Sequence, residues 1–526
     1  LLGFGSAIIY IAALLRFPLL PIYALPLQNL DKLTRSSGPA GLVLAGCVLL
    51  LFVGYASGAL LLARAAGSPL DNSPRRWLLP LVLIGFPVLF VLLLLLVYPT
   101  TSIDLYDYLF RGRMLARYEA NTFVLVPRDF KDDPFLSYVA WKRAVTAYGP
   151  LWEGMSWLTA RLAGEAPGLV STAATRDTEL LHLLLAYKGL AALGFLLCGA
   201  AIWLALGRTA PQWRLAGLYM WLWNPLALWE SIVAGHNDAW MALLIVLAIW
   251  AIGAGHPDRE TEQGKTGRGV RRSIGAFLAL TAGGLIKFLA LFLGPVLLSA
   301  GLRQLHSWRE RWRLVVFGGA ACIAAVIVAY AWFWDGWNTF QNFGDRGALF
   351  TASWLAMLEA LLSQSMPKPT AQAITVGLGL VLLALGVLWA AWRAWRAPQD
   401  VAAHTLWLLL WFLFFCNPWF QPWYLLWALA LVALQPWRVR AAWGVGLFCC
   451  TAMFSYIAGS FLLPALGWNV ESAEWNALIS ALIYLPPLVL LGRGYRARGP
   501  ALWQDLRQLL RQLVARWDAR PLKREA

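Results

Sequence analysis

Charge is what this chain has least of. Only 13% of its 526 residues are Asp, Glu, Lys or Arg, about half the share of a soluble domain. That scarcity excludes a water-soluble enzyme, and no polar stretch is long enough for a large soluble domain. Histidine (5) and cysteine (6) are equally sparse. Cys47, Cys198, Cys322, Cys416, Cys449 and Cys450 all lie in apolar runs without metal-like spacing, so they read as small core hydrophobes. Acidic residues are outnumbered, giving a formal net charge of +16. The basic residues sit in short loops between apolar runs, however, which is the pattern of cytoplasmic membrane loops and not of a groove for nucleic acid.

Hydrophobic length replaces charge. The composition is 60% hydrophobic, with a mean hydropathy of +0.62. Runs close to membrane-crossing length fall at 3–25, 40–64, 77–98, 181–206, 213–233, 237–254, 273–286, 288–301, 313–334, 371–395, 402–416, 421–435, 441–463 and 475–492. The pattern predicts an all-α polytopic membrane protein, a transmembrane bundle of about 14 helices with short interfacial helices on its outer face. Residues 1–25 lack a small-residue cleavage site after a basic start and read as a helix, not a signal peptide. The 31 tryptophans suit anchoring at both interfaces. Four regions follow: N-terminal helices (1–98), an extracytoplasmic loop (99–180), a transmembrane core (181–495) and a basic cytoplasmic tail (496–526). In the tail, Leu alternates with Arg at helical spacing over 502–517, as in a helix lying on the inner leaflet.

Lys and Arg set the orientation. Basic connections occur at Arg64, Arg75 and Arg76, at Arg208 and Arg214, over 259–272 and 303–313, at Arg393 and Arg396, at Arg438 and Arg440, and over 493–498. Placed in the cytoplasm, they put both chain ends inside. Segment 273–301 has basic flanks on both sides, so it predicts two short helices meeting near Lys287. The same reasoning makes 402–435 a hairpin with CNPWFQPWY (416–424) at its tip. Broken helices are tolerated at membrane depth only where protein or a polar cavity surrounds them. The polar clusters SIDLYDY, AGHND, Lys287, DGWN with FGDRG, and NPWFQPWY then share the extracytoplasmic side. The inner loops hold nothing comparable, since GKTGRGVRR (264–272) lacks P-loop spacing.

The organising stretch is 98–154, from YPTTSIDLYDYLFRGRMLARYEANTF to AYGPLWEG. It predicts a helix lying along the interface over 104–117, ended by Asn121, then a solvated turn at 129–133 and a second short helix over 135–145. Chemistry on the outer side cannot draw on cytosolic nucleotide sugars, so a sugar donor there is a lipid phosphate. Such a site needs a base for the acceptor hydroxyl, a cation for the departing phosphate and aromatic surfaces for sugar and lipid. Asp104 is the candidate base, although Asp in a first helical turn is also a common N-cap. Asp107 is the second carboxylate, either a base or a partner to Arg111. Lys287, isolated between apolar segments in GGLIKFLALFLGP, is the candidate phosphate contact, with a snorkelling interfacial lysine as the competing reading. Arg111 and Arg113 also suit phosphate, or a solvated face. His236, Asn237 and Asp238 suit substrate contact or a helix cap, and one His with one Asp is too few for a metal centre. Tyr148, Gln421, Trp423 and Tyr424 complete the substrate-binding candidates. No cofactor is expected.

Read together and in order, DLYDYLFRGRMLARYEANTF, AYGPLW, AGHNDAWMALLIVLAI, LIKFLALFLGP and QPWYLLW resemble the GT-C type of membrane glycosyltransferase. Within that type the chain is similar to the MptA/MptB-like mannosyltransferases that use polyprenyl-phosphate mannose. The resemblance covers about residues 98–430 and implies inverting transfer from a lipid-phosphate sugar, with the first outer-loop Asp, here Asp104, as base. The expected activity is transfer of a hexose, mannose-like, from polyprenyl phosphate to a glycan or glycolipid outside a bacterial cytoplasmic membrane. The expected partners are that donor, that acceptor and membrane lipids. A flippase would instead show paired charges near the bilayer midplane and internal repeats, and a non-catalytic subunit would tolerate loss of the outward clusters.

Overall fold

The computed structural model describes residues 1–26, 28–65, 78–253, 268–340 and 349–492. The expected tail helix, Arg75 and Arg76, the GKTG part of the inner loop and FGDRG lie outside the described residues. Every apolar run is helical over all or most of its length, and among the described residues no β-strand forms. Among the described residues, eight helices are long and apolar enough to cross a membrane, joined by the shorter apolar helices Leu2–Arg16, Asp238–Gly253, Phe288–Gln304 and Pro422–Ala433. Pro398–Cys416 is central, whereas Trp308–Ala331 and Leu78–Leu95 are peripheral. The peripheral helices expose Leu81, Leu92, Ile327 and Val328, surfaces that only lipid would cover without cost.

Both expected breaks are present. Helix Arg268–Ile286 stops at Lys287, which is extended (φ −149°, ψ 108°) before the 3-10 turn Phe288–Leu293. In the second hairpin, Val401–Trp411 ends in a π turn, Phe412–Cys416, and the chain returns through Pro422–Tyr424 into Leu425–Ala433. A third break follows Arg214–Leu222: Asn224 caps the turn Pro225–Leu228 by accepting from the Ala227 N–H (3.1 Å), and a π turn, Trp229–Val233, leads to Gly235. Gly235 takes φ +72°, and the chain re-enters the bundle as Asp238–Gly253. π turns often mark functional sites because the wider turn disrupts the regular hydrogen-bond ladder.

The basic connections at 208–214, 303–313, 393–396 and 438–440 gather at one end of the bundle. Arg438 pairs with Asp400 (2.5 Å), Arg311 lies over the Trp395 ring, and Trp213 meets Trp437. The breaks lie at the other end, with the 99–180 loop against them.

That loop is not organised as its pattern predicts. Helix Asp104–Arg117 has the expected bounds, but all its residues except Asp104 are buried between Pro150–Leu162 and Arg176–Thr209. It does not lie along an interface. Its charged face turns inward because carboxylates from distant parts of the loop fold over it. Arg113 donates through Nε to Asp133 (2.6 Å), through Nη1 to Glu165 (2.5 Å) and through Nη2 to Ser171 (2.8 Å). Arg117 donates to Glu165 (2.5 Å) and Glu179 (3.1 Å). Asp133 is therefore buried, not in a solvated turn, and the expected second helix shrinks to the 3-10 turn Leu136–Tyr138. Removing one member of a buried ion pair strands the others at about 3–5 kcal/mol. Arg113→Met is accordingly expected to lower the thermal unfolding midpoint of the detergent-purified protein markedly. An unchanged melt would show that this cluster does not hold the loop together.

Candidate functional site

Lys287 is where the breaks meet. Its Nζ donates to both carboxylate oxygens of Asp238, at 3.0 and 3.1 Å. Asp238 is fully buried at the first turn of Asp238–Gly253, whereas the Lys287 side chain retains 11% exposure. The ammonium lies 4.8 Å from the Tyr424 ring centre, 5.7 Å from that of Trp427 and 5.9 Å from that of Tyr148. Two segments far apart in sequence thus surround one cation with aromatic faces, an arrangement that stabilises positive charge.

The loop module is fastened to this point by its backbone. The Gly149 N–H donates to the Ile286 carbonyl (2.9 Å) immediately before Lys287. The approach is so close that a Cβ on Gly149 would fall 2.2 Å from the Leu285 carbonyl oxygen. Only glycine fits there. Tyr148 is thereby held beside Lys287, and its hydroxyl meets that of Tyr108 at 3.1 Å. The charges of both Asp104 and Asp238 act on the Tyr108 hydroxyl, which places the candidate base and the ion pair in one electrostatic neighbourhood.

Asp104 is half-buried at the start of its helix and accepts a long hydrogen bond from Trp141 Nε1 (3.4 Å). The N-cap position belongs to Ile103, without a side-chain cap, so capping does not account for the Asp104 carboxylate. Asp107 differs. It is buried and takes a bidentate pair from Arg111, at 2.7 and 3.1 Å. Arg111 also donates to the Ala144 carbonyl. Below it, Glu153 accepts from the hydroxyls of Thr146 and Thr122, and burial pushes its carboxyl up despite Arg111 nearby. Arg113, expected at phosphate, has its nitrogens committed to Asp133, Glu165 and Ser171 and does not join the group around Lys287.

His236 and Asn237 are fully buried beside Asp238, with the imidazole stacked on Trp423 (centroids 3.8 Å apart). Gln421 is half-buried at the start of the Pro422–Tyr424 turn. The hairpin tip itself is pinned by Thr351, whose N–H donates to the Pro418 carbonyl and whose carbonyl accepts from the Phe420 N–H, both at 3.1 Å. Among the described residues, no group of three or more His, Cys, Asp or Glu side chains is placed to hold a metal ion.

Several site residues escape the sequence reading. Lys188, fully buried in Arg176–Thr209, donates to the carbonyls of Val97 and Val233, each at 2.9 Å. It ties together the helix ends that lead to Asp104 and to His236. Glu230 is also fully buried, with Oε2 3.4 Å from His236 Nε2. Both lie inside apolar runs, where a lone charge is itself a signal of function.

With this geometry in hand, comparison with known families is informative. A family model described as alpha-(1->6)-mannopyranosyltransferase, N-terminal domain, of the MptA/MptB family matches residues 3–303. The chain belongs to this family. The matched region is more than half of the 526 residues and contains Asp104, Glu230, Asp238 and Lys287, but not the 416–424 tip. A mannosyltransferase family makes this protein a membrane glycosyltransferase. Neither the search of curated proteins nor that of solved structures returned a match.

The Gly149 contact yields a direct test. Gly149→Ala should push the Tyr148 segment off the Lys287 break and reduce sugar transfer on the order of 10²-fold, the effect of small misplacements at a reacting centre. Gly154→Ala, where a Cβ meets nothing within 4 Å, should leave transfer unchanged. Equal activity in the two variants would remove the coupling between loop and break.

Proposed function

We propose that this protein transfers a mannose-like hexose from a polyprenyl-phosphate donor to a glycan or glycolipid acceptor at the extracytoplasmic face of a bacterial cytoplasmic membrane. The observation that carries the reading is the meeting of Lys287, at a helix break ringed by aromatic faces, with the half-buried Asp104 through Tyr108 and Tyr148. The gathering of basic connections at the opposite end supports the orientation, since such loops stay in the cytoplasm.

In the proposed reaction Asp104 takes the proton of the acceptor hydroxyl as that oxygen attacks C1 of the donor sugar. The new C1–O bond forms as the C1–O bond to phosphate breaks, and the polyprenyl phosphate leaves with the electron pair. Lys287 meets the charge developing on that phosphate. Asp238 fixes the ammonium in place, and Tyr148, Tyr424 and Trp427 surround it. Direct displacement inverts C1, so the α-linkage in the family description calls for a β-linked donor. Asp107 and Arg111 form a bidentate pair on the same helix and position it. Gln421 and Trp423 complete the sugar-facing rim. The GT-C resemblance agrees with a site built from outer loops on a helical bundle.

A general base contributes about 10²–10⁴-fold. Asp104→Asn, purified in nanodiscs and assayed with radiolabelled polyprenyl-phosphate mannose and an acceptor mixture, should lose transfer by that order while retaining donor binding. Equal turnover in the variant and the unaltered protein would end the case for Asp104.

A further inference from the structure

The reaction above leaves a group of buried polar atoms unused. Both ring nitrogens of His236 and both amide atoms of Asn237 are inaccessible and lack hydrogen-bond partners. Glu230 is fully buried beside them, with the Tyr456 hydroxyl as its neighbour and Thr101 beside Tyr456 in turn. These atoms are neighbours. Glu230 lies 3.4 Å from His236 without hydrogen-bond geometry, Asn237 follows His236, and the Tyr456 hydroxyl is directed at Glu230. Buried polar side chains in folded proteins are almost always satisfied, so orphans gathered in one segment mark a place that suits a polar ligand.

We infer that Glu230, His236 and Asn237 form the subsite that recognises the hydroxyl groups of the donor sugar, with Glu230 as the principal hydrogen-bond acceptor. The chemistry selects a polyol. A carboxylate accepts, an amide both donates and accepts, and each sugar hydroxyl can do either. An anion is better served by the ammonium of Lys287. The phosphate end therefore belongs with Lys287 and the neutral hexose with Glu230. Position agrees with that division. Asp238, which holds Lys287, follows Asn237 directly in the chain, so a sugar attached through C1 to a phosphate at Lys287 has its ring hydroxyls within reach of this segment. The π turn Trp229–Val233 and the left-handed Gly235 turn Glu230 and His236 toward each other, and the His236 N–H closes the loop on the Glu230 carbonyl (3.0 Å).

This inference rests on the proposed polyprenyl-phosphate-sugar donor, and comparison of two ligands separates the claims. Binding of polyprenyl-phosphate mannose and of bare polyprenyl phosphate would be measured in nanodiscs for the unaltered protein, Glu230→Gln and Asn237→Ala. Glu230→Gln should weaken the sugar-bearing ligand about tenfold, the size of one hydrogen bond, and leave bare polyprenyl phosphate within about twofold. Equal weakening of both ligands, or of neither, would overturn the subsite while leaving the donor reading intact. Failure of the unaltered protein to bind either ligand would overturn both. Donors lacking single ring hydroxyls give a version that needs no variant: at least one should bind the unaltered protein about tenfold more weakly, and uniform affinity across the series would contradict the assignment.

Discussion

The pair between Lys287 and Asp238 is the constraint on which the site depends. A lysine at the break of a membrane helix needs a partner, and Asp238 supplies it from the start of the helix that packs most closely on Arg268–Ile286. Two helices are thereby registered against each other at one end of the bundle. The remaining elements follow from that registration. Gly149 brings the loop module onto the carbonyl of Ile286, and the Pro422–Tyr424 turn places Tyr424 over the ammonium. Lys188 joins the ends of two further helices a short distance away, through backbone carbonyls that end helices would otherwise leave unsatisfied.

The polar groups divide into those that are satisfied and those that are not. Arg113, Arg117, Asp133, Glu165 and Glu179 form a closed network that folds the loop. The side chains of His236 and Asn237 are buried without partners. Fully paired charges stabilise one arrangement, whereas unpaired polar atoms hold a cost that a ligand can remove. That contrast runs within a few residues of sequence, and Arg113 stands on its paired side, held by Asp133 and Glu165.

Hydropathy and basic loops were enough to read the helical bundle, the break at Lys287 and the hairpin tip at 416–424, because membrane-depth backbone admits few alternatives. The bounds of Asp104–Arg117 were legible too, but not its environment. A helix bearing Asp107, Arg111, Arg113 and Arg117 has the pattern of a surface helix, and only tertiary contacts from Asp133, Glu165 and Glu179 reveal that its charges face inward. Glu230 and Lys188 carried a readable signal, a single charge within an apolar run. It was masked because their neighbours make the runs read as continuous spans. The nearness of Gly149 to Leu285 had no local signal at all, since it depends on two backbones separated by more than a hundred residues.

The account holds that the lipid phosphate docks where the helix breaks meet. The most direct test is photo-crosslinking of the full-length protein in nanodiscs with a polyprenyl-phosphate analogue carrying a photoreactive group beside the phosphate, followed by mapping of the labelled peptides. Labelling within 283–291 and 421–427, suppressed by excess polyprenyl phosphate, is the predicted result. Suppressible labelling confined to other parts of the bundle would contradict it.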